Sequence, residues 1–506
     1  MDFNKLTAKF NDSKFNPVYI LMLVSFVLRL TTFMGISEGD DLSYTLLANR
    51  FANGDFSAGF IFDIRWVVYV PVALLYKIFG VNDITSIAPT FIYGIASVWL
   101  AYKIVLEETD KLTASIATLL YLSFPIVLIY GNFLQVAPSL EFFTLLTVYS
   151  FQRGLKSEKI GWFVLGGLAI GGIFFARTTG LFIAPLASFY VWYKKGFNKK
   201  TILWIACAAL CSLVLPAVQG LVYLSVHGDF FHYITISKKG IDYQDRMFDV
   251  DPKDLFFYIR TMFVEGNFAN WKMFGLNGYF ITASVIACIA GICMKKAGKE
   301  VIFFIWYLSY FLFMTFAPTS FSPYTTLIRN IRYGIIFLLP VCAIYGIYLS
   351  RMLKSRHLAL NITAVVVVLT LFISNIAFSV HDSRRFKDRR TEQKSSIEAL
   401  LKDYPDATFY LADKNIGRRI AYYSGYKNNN YQHIRSLKQI KKPGVFLMLR
   451  RFPGSVSRLY IPKEEQLKLR KNPPKGMTFK KKLPFFLVYE VDPETLSKGT
   501  EKEKQQ

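Results

Sequence analysis

Two adjacent aspartates, Asp40 and Asp41, follow the first long apolar run of the chain, in the stretch MGISEGDDLSYTLLANRFANGDFS at residues 34–57. The segment DDLSYTLLANRFANG predicts a short helix that ends at Gly54. Aspartate is favoured at helix starts, where it accepts backbone N–H bonds, so helix capping is one interpretation of the pair. One aspartate suffices for a cap, and the charge of a second raises the proton affinity of one carboxylate, as suits a general base.

Arginines provide a second chemical component, a group that binds anions. Arg29 lies inside the first apolar run, where an ionised side chain is costly unless it reaches the interface or faces a cavity or a partner. Arg177 occupies a predicted turn between two spans, and Arg329 and Arg332 directly precede a later span. Guanidinium forks match phosphate oxygens. A carboxylate that takes a proton from a hydroxyl, with arginines that hold a departing phosphate, predicts transfer from a lipid-linked phosphate donor.

Membrane spans must position these residues. Of the 506 residues 53% are hydrophobic, and apolar runs of roughly 18 residues, long enough to cross a bilayer, recur from residue 17 to about 380. Eleven spans are predicted, at 17–34, 86–106, 113–130, 135–152, 160–176, 179–193, 201–226, 276–294, 301–317, 333–350 and 358–380. The sequence contains no GxxxxGK[ST] motif, so a soluble nucleotide donor has no evident binding site. We therefore expect a multi-spanning α-helical membrane domain over residues 17–380.

The positive-inside rule decides how one further apolar segment, RWVVYVPVALLYKIFG at 65–80, is interpreted. If it lies in the interface as a juxtamembrane helix, the basic loops and the N-terminal residues 1–16 are cytoplasmic. The acidic loop 35–85 and the long loop 227–275 then face outward. The excess of Lys, Asn, Ile and Phe is typical of an AT-rich bacterial genome. We expect a bacterial inner-membrane protein whose outer face is periplasmic.

The composition changes from residue 381 onward. Residues 381–396 predict a basic linker, 397–494 a small α/β domain and 495–506 a disordered tail. Within the domain, strands are predicted at 407–412, 444–449 and 485–491, and a helix at 415–426. Residues 381–506 contain 29 lysines and arginines against 14 aspartates and glutamates, a net charge of +15. This charge predicts contact with anionic lipid or an anionic substrate, and no nucleic-acid partner is inferred.

Four motifs resemble the GT-C glycosyltransferases, in particular the branch of protein O-mannosyltransferases and the lipid A aminoarabinose transferase. GDDLSYTLLANRFANGDF looks like the acidic first-loop pattern of that branch, and RWVVYVPVALLYKIFG is similar to the juxtamembrane helix that follows it. GWFVLGGLAIGGIFFARTTGLFIAPLA resembles the glycine-rich pair of spans with a basic residue between them. IRNIRYGIIFLLP looks like the Arg-Tyr motif that precedes a proline-containing span. The resemblance covers residues 17–380 and implies a GT-C-like fold of about eleven transmembrane helices plus juxtamembrane helices.

The resemblance also implies a reaction, the inverting transfer of a sugar from a polyprenyl-phosphate donor to a hydroxyl of a lipid, glycan or protein. Asp40 would be the base. Asp41 would orient the acceptor or an arginine, or help to hold a divalent cation if one is used. Arg329 and Arg332 would bind the donor phosphate, with Tyr333 close by.

Other residues are weaker candidates for the same site. Arg29, Arg65 and Arg177 could contribute to the same anion site. Several members of the branch carry an acid in the second outer loop, where this sequence has Ala137. The nearest acid is Glu141, one helical turn further on, and it is the candidate substitute. This departure leaves the branch, and hence the sugar, open.

Two other function classes stay open. A transporter or flippase for a lipid-linked or anionic solute predicts ionisable residues at mid-membrane and two related halves, neither of which is evident in the sequence. A membrane-anchored scaffold would leave Arg329 and Arg332 without a role. His227, Asp229 and His232 have side chains that can bind zinc, but polar residues at a span end are the better explanation, and no metal site is assigned.

Overall fold

The structure is a computed structural model, and it describes residues 3–36, 39–247, 277–294, 298–321, 324–327, 331–428, 430–450 and 459–496. The chain divides into two compact units. The first, called the helical unit, comprises residues 1–33, 54–71 and 87–384. The second, called the α/β unit, comprises residues 34–53, 72–86 and 385–506.

Helices form most of the helical unit. Their bounds are Phe3–Asp12, Val18–Thr31, Lys111–Ser123, Pro125–Tyr130, Val136–Ser157, Ile160–Ala176, Ile183–Lys195, Lys199–Ser212, Val214–His227, His232–Met247, Asn277–Cys293, Glu300–Phe316 and Leu338–Leu353. The unit also contains 3-10 helices at Thr178–Phe182 and Ile331–Phe337, and the antiparallel strands β1 (Pro318–Phe321) and β2 (Tyr324–Thr326). Three more helices include residues of both units: Trp66–Phe79, Asp83–Glu108 and Leu358–Asp403.

The helices account for the predicted membrane spans. Among the described residues, four helices are long and apolar enough to cross a bilayer: Asp83–Glu108, Lys199–His227, Tyr333–Leu353 and Leu358–Asp403. Shorter apolar helices lie at Val18–Thr31, Trp66–Phe79, Ile160–Ala176, Ile281–Cys293 and Glu300–Phe316. Each predicted span coincides with one helix or with two consecutive helices. The protein is an integral membrane protein, and the number of eleven crossings stays a prediction.

Glycines explain how closely the helix Ile160–Ala176 packs within the helical unit. A Cβ on Gly167 would lie 2.2 Å from the carbonyl oxygen of Ala208, and one on Gly172 would lie 2.6 Å from the ring of Phe143. Only glycine permits backbones to approach this closely, which is the usual way in which membrane helices associate. The GGLAIGG stretch is therefore a packing surface for the helices on either side of it.

A five-stranded sheet forms the centre of the α/β unit. Its strands are β3 (Phe409–Leu411), β4 (Tyr431–His433), β5 (Gly444–Leu449), β6 (Met477–Lys482) and β7 (Phe486–Val491), in the order β4-β3-β5-β7-β6. Strand β3 pairs parallel with β4 and β5, and β7 pairs antiparallel with β5 and β6. The predicted strands β3, β5 and β7 and the helix between β3 and β4 are confirmed, whereas β4, β6 and the helix Lys463–Lys471 were not predicted.

Both faces of the sheet are apolar, because alternate residues of its strands point to opposite sides. Phe409, Val445 and Val488 pack against the helix Lys414–Tyr423 and the end of the helix Leu358–Asp403. Tyr410 and Phe446 face a second buried cluster on the other side. The unit is therefore a three-layer arrangement with helices on both faces of the sheet.

The structure corrects the linker that was expected at residues 381–396. These residues belong to the 46-residue helix Leu358–Asp403, which continues without interruption. The segment HDSRRFKDRRTEQKSS contains no proline or glycine and is rich in arginine, lysine, glutamate and glutamine, which are good helix formers. Its continuation brings Ile397 and Leu400 into the core of the α/β unit, where both are 0% exposed.

Candidate active site

The paired aspartates begin the helix Asp40–Ala52, which we call the acidic helix. Gly39 occupies its N-cap position with φ +78° and ψ −115°, a conformation that residues with a side chain rarely adopt. The aspartates therefore lie in the first turn, where the helix dipole favours negative charge, and not at the cap. Asp41 is 0% exposed, whereas Asp40 is half-buried. Of the two carboxylates, Asp40 is the one that a substrate can reach.

A helix of the α/β unit, Lys414–Tyr423, packs against the acidic helix, and we call it the arginine helix. Asp413 caps its N-terminus by accepting the Asn415 N–H at 2.7 Å. Ile416 and Ile420 are buried in the core against the sheet. These buried isoleucines fix the rotation of the arginine helix, so that part of its polar face lies towards the acidic helix.

Two side chains of this region bind the acidic helix directly. Arg418 Nη1 donates a hydrogen bond to Ser43 Oγ at 3.0 Å. The Tyr426 hydroxyl, just after the arginine helix, donates to Thr45 Oγ1 at 3.0 Å. Because residues three or four apart are neighbours on a helix, Ser43 is the neighbour of the first aspartate and Thr45 that of the second.

A second polar cluster of the α/β unit surrounds Asp83. Its carboxylate accepts hydrogen bonds from Lys394 Nζ at 3.0 Å and from the Tyr422 hydroxyl at 3.1 Å. Burial raises the pKa of Tyr422 well above its usual value, so this hydroxyl stays protonated and donates. Arg390 Nη1 donates to the carbonyl oxygen of Gly35 at 2.9 Å. These bonds hold the segment before the acidic helix, through Gly35, and the start of the helix Asp83–Glu108 within the α/β unit.

In the helical unit, the guanidinium of Arg29 fills a closed slot between two glycines. The side chain is 0% exposed. A Cβ on Gly94 would lie 2.1 Å from Arg29 Cζ, and one on Gly131 would lie 2.0 Å from Nη1. Nε and Nη1 have no hydrogen-bond partner among the described residues. This arginine is held in the protein interior rather than at a membrane surface.

Glu141 is the acidic partner of this buried arginine. The carboxylate is 3% exposed and interacts electrostatically with the guanidinium of Arg29. A buried charge is costly unless it is paired, so these groups form one cluster. The structure thereby joins two residues that the sequence assigned to different roles, the donor phosphate and the second-loop acid.

Two predicted phosphate ligands also meet in the helical unit. Arg177 Cζ lies 3.5 Å from the centroid of the Tyr333 ring, and Arg177 Nε donates to Thr179 Oγ1 at 3.0 Å. Tyr333 is 7% exposed and belongs to the 3-10 helix Ile331–Phe337. The backbone of Arg332 lies in the same 3-10 helix, but its side chain and all of Arg329 lie outside the described residues.

The loop before the helix Trp66–Phe79 is held by polar contacts to its backbone. Arg65, the remaining predicted phosphate ligand, stacks on Phe62 with its Cζ 4.9 Å from the ring centroid. The carboxylate of Asp63 accepts the N–H groups of Gly59 and Phe60, each at 2.7 Å. This loop is therefore ordered around Asp63, and Arg65 lies at its end.

His227 and His232 clamp the same loop. Their rings stack with centroids 4.0 Å apart. The Ala58 N–H donates to His227 Nε2 at 3.1 Å, and the Ala58 carbonyl oxygen lies 3.1 Å from His232 Nε2. Within the described ranges, no three residues of the metal-binding types come together.

An apolar cavity of about 240 Å³ opens elsewhere in the helical unit. Side chains from the helices Asp83–Glu108, Val136–Ser157, Ile183–Lys195 and Glu300–Phe316 line it, and Gln152 and Tyr190 are among its few polar neighbours. None of the candidate site residues lines the cavity. Its composition suits a hydrocarbon chain rather than a reacting group.

Comparison with known proteins supports the relationship that these motifs indicate. Residues 66–219 match the family model described as dolichyl-phosphate-mannose-protein mannosyltransferase. The fold is similar to that of ArnT from Cupriavidus metallidurans bound to undecaprenyl phosphate, with a TM-score of 0.63 and 12% identity over 94% of this chain and 98% of that one. The chain has a GT-C fold. In its apo state, ArnT is similar to this GT-C chain with a TM-score of 0.59.

A second GT-C neighbour is the Archaeoglobus fulgidus oligosaccharyltransferase tethered to an acceptor peptide with an NVT sequon. It shares 12% identity and a TM-score of 0.53, and the alignment covers 81% of this chain and 63% of that one. No curated protein sequence matches. At these identities the structural likeness establishes the fold of the GT-C chain, and its chemistry has to be argued from its own residues.

Some residues of the candidate site were missed by sequence reasoning. Arg418, Tyr426 and Asp83 bind or flank the segment with the acidic motif, although Asp83 lies more than 40 residues from Asp40 and the other two lie in a separate stretch of the chain. The helix NIGRRIAYYSGY was predicted, but nothing in its sequence shows that it packs on another helix. The available signal was a pair of arginines on a predicted amphipathic helix.

Proposed function

We propose that the protein is an inverting glycosyltransferase that moves a sugar from a polyprenyl-phosphate donor to an acceptor hydroxyl at the outer face of the membrane. The observation that carries this proposal is the aspartate pair in the first turn of the acidic helix, in the first loop of a GT-C fold. The family model names a dolichyl-phosphate donor, and ArnT was solved with undecaprenyl phosphate. Both are isoprenoid phosphates, which supports this class of donor.

In the proposed reaction the Asp40 carboxylate accepts the proton of the acceptor hydroxyl. The hydroxyl oxygen then forms a bond to the anomeric carbon, the bond between that carbon and the phosphate oxygen breaks, and the polyprenyl phosphate leaves with the electron pair. Attack opposite to the leaving group inverts the anomeric carbon. A positioned base of this kind contributes about 100- to 10,000-fold to a rate. Asp41, buried beneath it, orients the acceptor, an arginine or a divalent cation.

The developing charge on the leaving phosphate requires cations. Arg329 and Arg332 are proposed to bind it, with Tyr333, and Arg177 contributes through the pair that it forms with that tyrosine. Arg65 is a further ligand in this proposal. Bidentate guanidinium–phosphate bonds stabilise the charge that appears on the departing oxygen.

Arg29 and Glu141 are proposed to act differently, as a buried structural pair. Their closed slot has no room for a phosphate beside the guanidinium, because both flanking glycines are needed to accommodate the side chain itself. An ionisable pair inside a membrane domain is also found in transporters. This pair is therefore the observation that favours the second candidate function, a flippase for a lipid-linked solute.

The proposal includes a location. Eleven crossings would place the acidic loop and the α/β unit on the outer face, which is the periplasmic face if the protein resides in a bacterial inner membrane. The acceptor is then a hydroxyl of a lipid, glycan or protein in that compartment. The basic α/β unit favours an acceptor that carries negative charge.

Transfer of radiolabelled sugar tests this proposal. Purified full-length protein in nanodiscs would be given a panel of polyprenyl-phosphate sugars and a membrane extract as acceptor, with and without a chelator of divalent cations. Asp40→Asn is the test variant. Asp55→Asn is the matched control, because Asp55 is an exposed acid shortly after the acidic helix.

We expect Asp40→Asn to lose at least 100-fold in transfer while it still binds the donor, and Asp55→Asn to retain wild-type transfer. Equal transfer by Asp40→Asn and wild type would overturn the assignment of Asp40 as the base. If wild type transferred no sugar from any donor but accelerated movement of the lipid across the bilayer, the flippase function would replace the glycosyltransferase function.

A further inference from the structure

The contacts of the acidic helix assign a function to the α/β unit, for which the sequence contains no motif. We infer that Arg418 and Tyr426 are positioning residues, which hold the first turns of the acidic helix so that Asp40 is aimed as a base. The inference rests on the proposed function of Asp40. It makes the α/β unit a part of the catalytic machinery rather than an appended domain.

Arg418 contacts the first turn of the acidic helix. Arg418 Nη1 donates to Ser43 Oγ at 3.0 Å, and Ser43 Oγ contacts the Gly39 carbonyl oxygen at 3.3 Å. A chain of polar contacts thus runs from the guanidinium to the residue directly before Asp40. Asp40 and Ser43 are three residues apart on one helix, so their side chains are neighbours about 5–6 Å apart at Cβ. Arg418 therefore holds the first turn of the acidic helix, which is the turn that carries Asp40.

The second contact fixes the other side of the acidic helix. The Tyr426 hydroxyl donates to Thr45 Oγ1, which is 0% exposed and lies one turn beyond Asp41. Burial raises the pKa of Tyr426 above its usual range, so the hydroxyl remains a donor at any physiological pH. Arg418 and Tyr426 therefore hold two different faces of one helix, which restrains its rotation as well as its position.

The support for both side chains is rigid. The arginine helix is capped by Asp413 and is anchored to the sheet through buried isoleucines. At Gly417, a Cβ would lie 2.4 Å from the ring of Tyr431 in strand β4, so the helix lies directly on the sheet edge. Functional groups are best positioned by side chains that are themselves locked by packing.

The experiment uses full-length protein in nanodiscs and four variants. Arg418→Met removes the charge and keeps the length of the stem, Arg418→Lys keeps the charge without the fork, and Tyr426→Phe removes one hydroxyl. Arg435→Ala is the matched control, because Arg435 is an exposed arginine of the same unit whose side chain makes no hydrogen bond among the described residues. Sugar transfer and donor binding are measured for each.

We expect Arg418→Met to lower kcat by about 10- to 100-fold with little change in donor affinity, as for loss of a charged hydrogen bond. Arg418→Lys should recover part of the loss, and Tyr426→Phe should lower kcat less. Wild-type kcat in Arg418→Met would overturn the inference, as would an equal loss in Arg435→Ala.

Hydrogen exchange separates this inference from the proposed function. Amides of the acidic helix should exchange faster in the Arg418→Met/Tyr426→Phe double variant than in wild type, whether or not a donor for transfer is found. Unchanged exchange would overturn the positioning role even in an active enzyme. Faster exchange in a protein that transfers no sugar would instead retain the contact and reject the proposed reaction.

Discussion

The pairing of Arg29 with Glu141 can be tested by removing one charge and then both. Arg29 is 0% exposed and Glu141 is 3% exposed, and each is the other's counter-charge inside the helical unit. Arg29→Met leaves a buried carboxylate that has lost its cation. Glu141→Leu leaves a buried guanidinium, two of whose nitrogens already have no hydrogen-bond partner among the described residues. Either single change should therefore destabilise the protein strongly.

The expected magnitudes follow from the burial of the pair. Removal of one partner of a buried ion pair costs about 3–5 kcal/mol, whereas replacement of both by apolar residues of similar size is often close to neutral. We expect each single variant to lose about 3–5 kcal/mol and the Arg29→Met/Glu141→Leu double variant to lose about 1 kcal/mol or less. For a chain of this length, about 1 kcal/mol corresponds to about 1 °C in Tm, because the unfolding entropy is about 2 cal/mol/K per residue.

The glycine slot gives an independent measure of the same arrangement. Gly94→Ala places a Cβ 2.1 Å from Arg29 Cζ, and overpacking of this kind costs about 1–3 kcal/mol. The cost should fall in the Arg29→Met/Glu141→Leu background, where the guanidinium is absent and the methionine side chain can move aside. Thermal unfolding in one detergent, followed by tryptophan fluorescence, measures all of these variants. Donor binding is measured in parallel.

Additive losses would refute this reasoning. If the double variant lost as much as the sum of the two single variants, the charges would not be coupled. If Arg29→Met weakened donor binding at an unchanged Tm, the arginine would be a phosphate ligand, which is the role that the sequence assigned to it. A Gly94→Ala penalty that persisted in the double variant would mean that the slot is not shaped by the guanidinium.

Two other regions of the helical unit give testable expectations. Gly167→Ala should lower Tm by a few degrees because its Cβ would lie 2.2 Å from the carbonyl oxygen of Ala208, while Gly161→Ala in the same helix, with open space around it, should not change Tm. His227 Nε2 accepts the Ala58 N–H and must be unprotonated to do so, so acidification from pH 7.5 to 5.5 should lower the hydrogen-exchange protection factor of the Ala58 amide, which corrects the exchange rate for its intrinsic pH dependence. The same pH change should have little effect on that protection factor in His227→Phe, which has no acceptor at either pH, and an equal decrease in both proteins would contradict the clamp.

Local patterns were sufficient to predict most of the fold. The apolar runs predicted helices at each proposed span because span length is set by bilayer thickness. The short apolar runs GVFLML and FFLVYEV predicted strands that the structure contains as β5 and β7. Strand β6, MTFKKK, was missed because it lies at the edge of the sheet, where lysines replace the apolar residues that identify a strand.

The linker at 381–396 illustrates a different limit. Its charge and polarity are typical of a linker, and the same composition is typical of a solvated helix. Only the packing of Ile397 and Leu400 against the sheet decides between the two, and that packing involves strands more than eight residues further along the chain. Composition alone therefore could not distinguish a flexible connection from the continuous helix Leu358–Asp403.

The candidate site also has one part that the sequence predicted and one part that it did not. The paired aspartates were identified because neighbouring charges in a sequence are neighbours in space. The interaction of Arg29 with Glu141 was not identified, because the two residues lie more than 100 positions apart in the sequence. The space for the guanidinium is defined by two glycines, which have no reactive side chain that could mark them as part of a site. The sequence identified both charged residues as candidates, but it could not show that each compensates the buried charge of the other.

The two aspartates differ in burial, and this difference explains why the motif contains two acids. A single exposed carboxylate could act as a base, but its direction would change with every rotation of its side chain. Asp41, at 0% exposure, fixes the helix that carries Asp40, and Tyr426 and Arg418 hold that helix one turn further on. Ordering costs about 1–2 kcal/mol for each backbone residue, and here the α/β unit offsets that cost through contacts that exist before any substrate arrives. The acidic motif thereby acquires the rigidity of a folded domain.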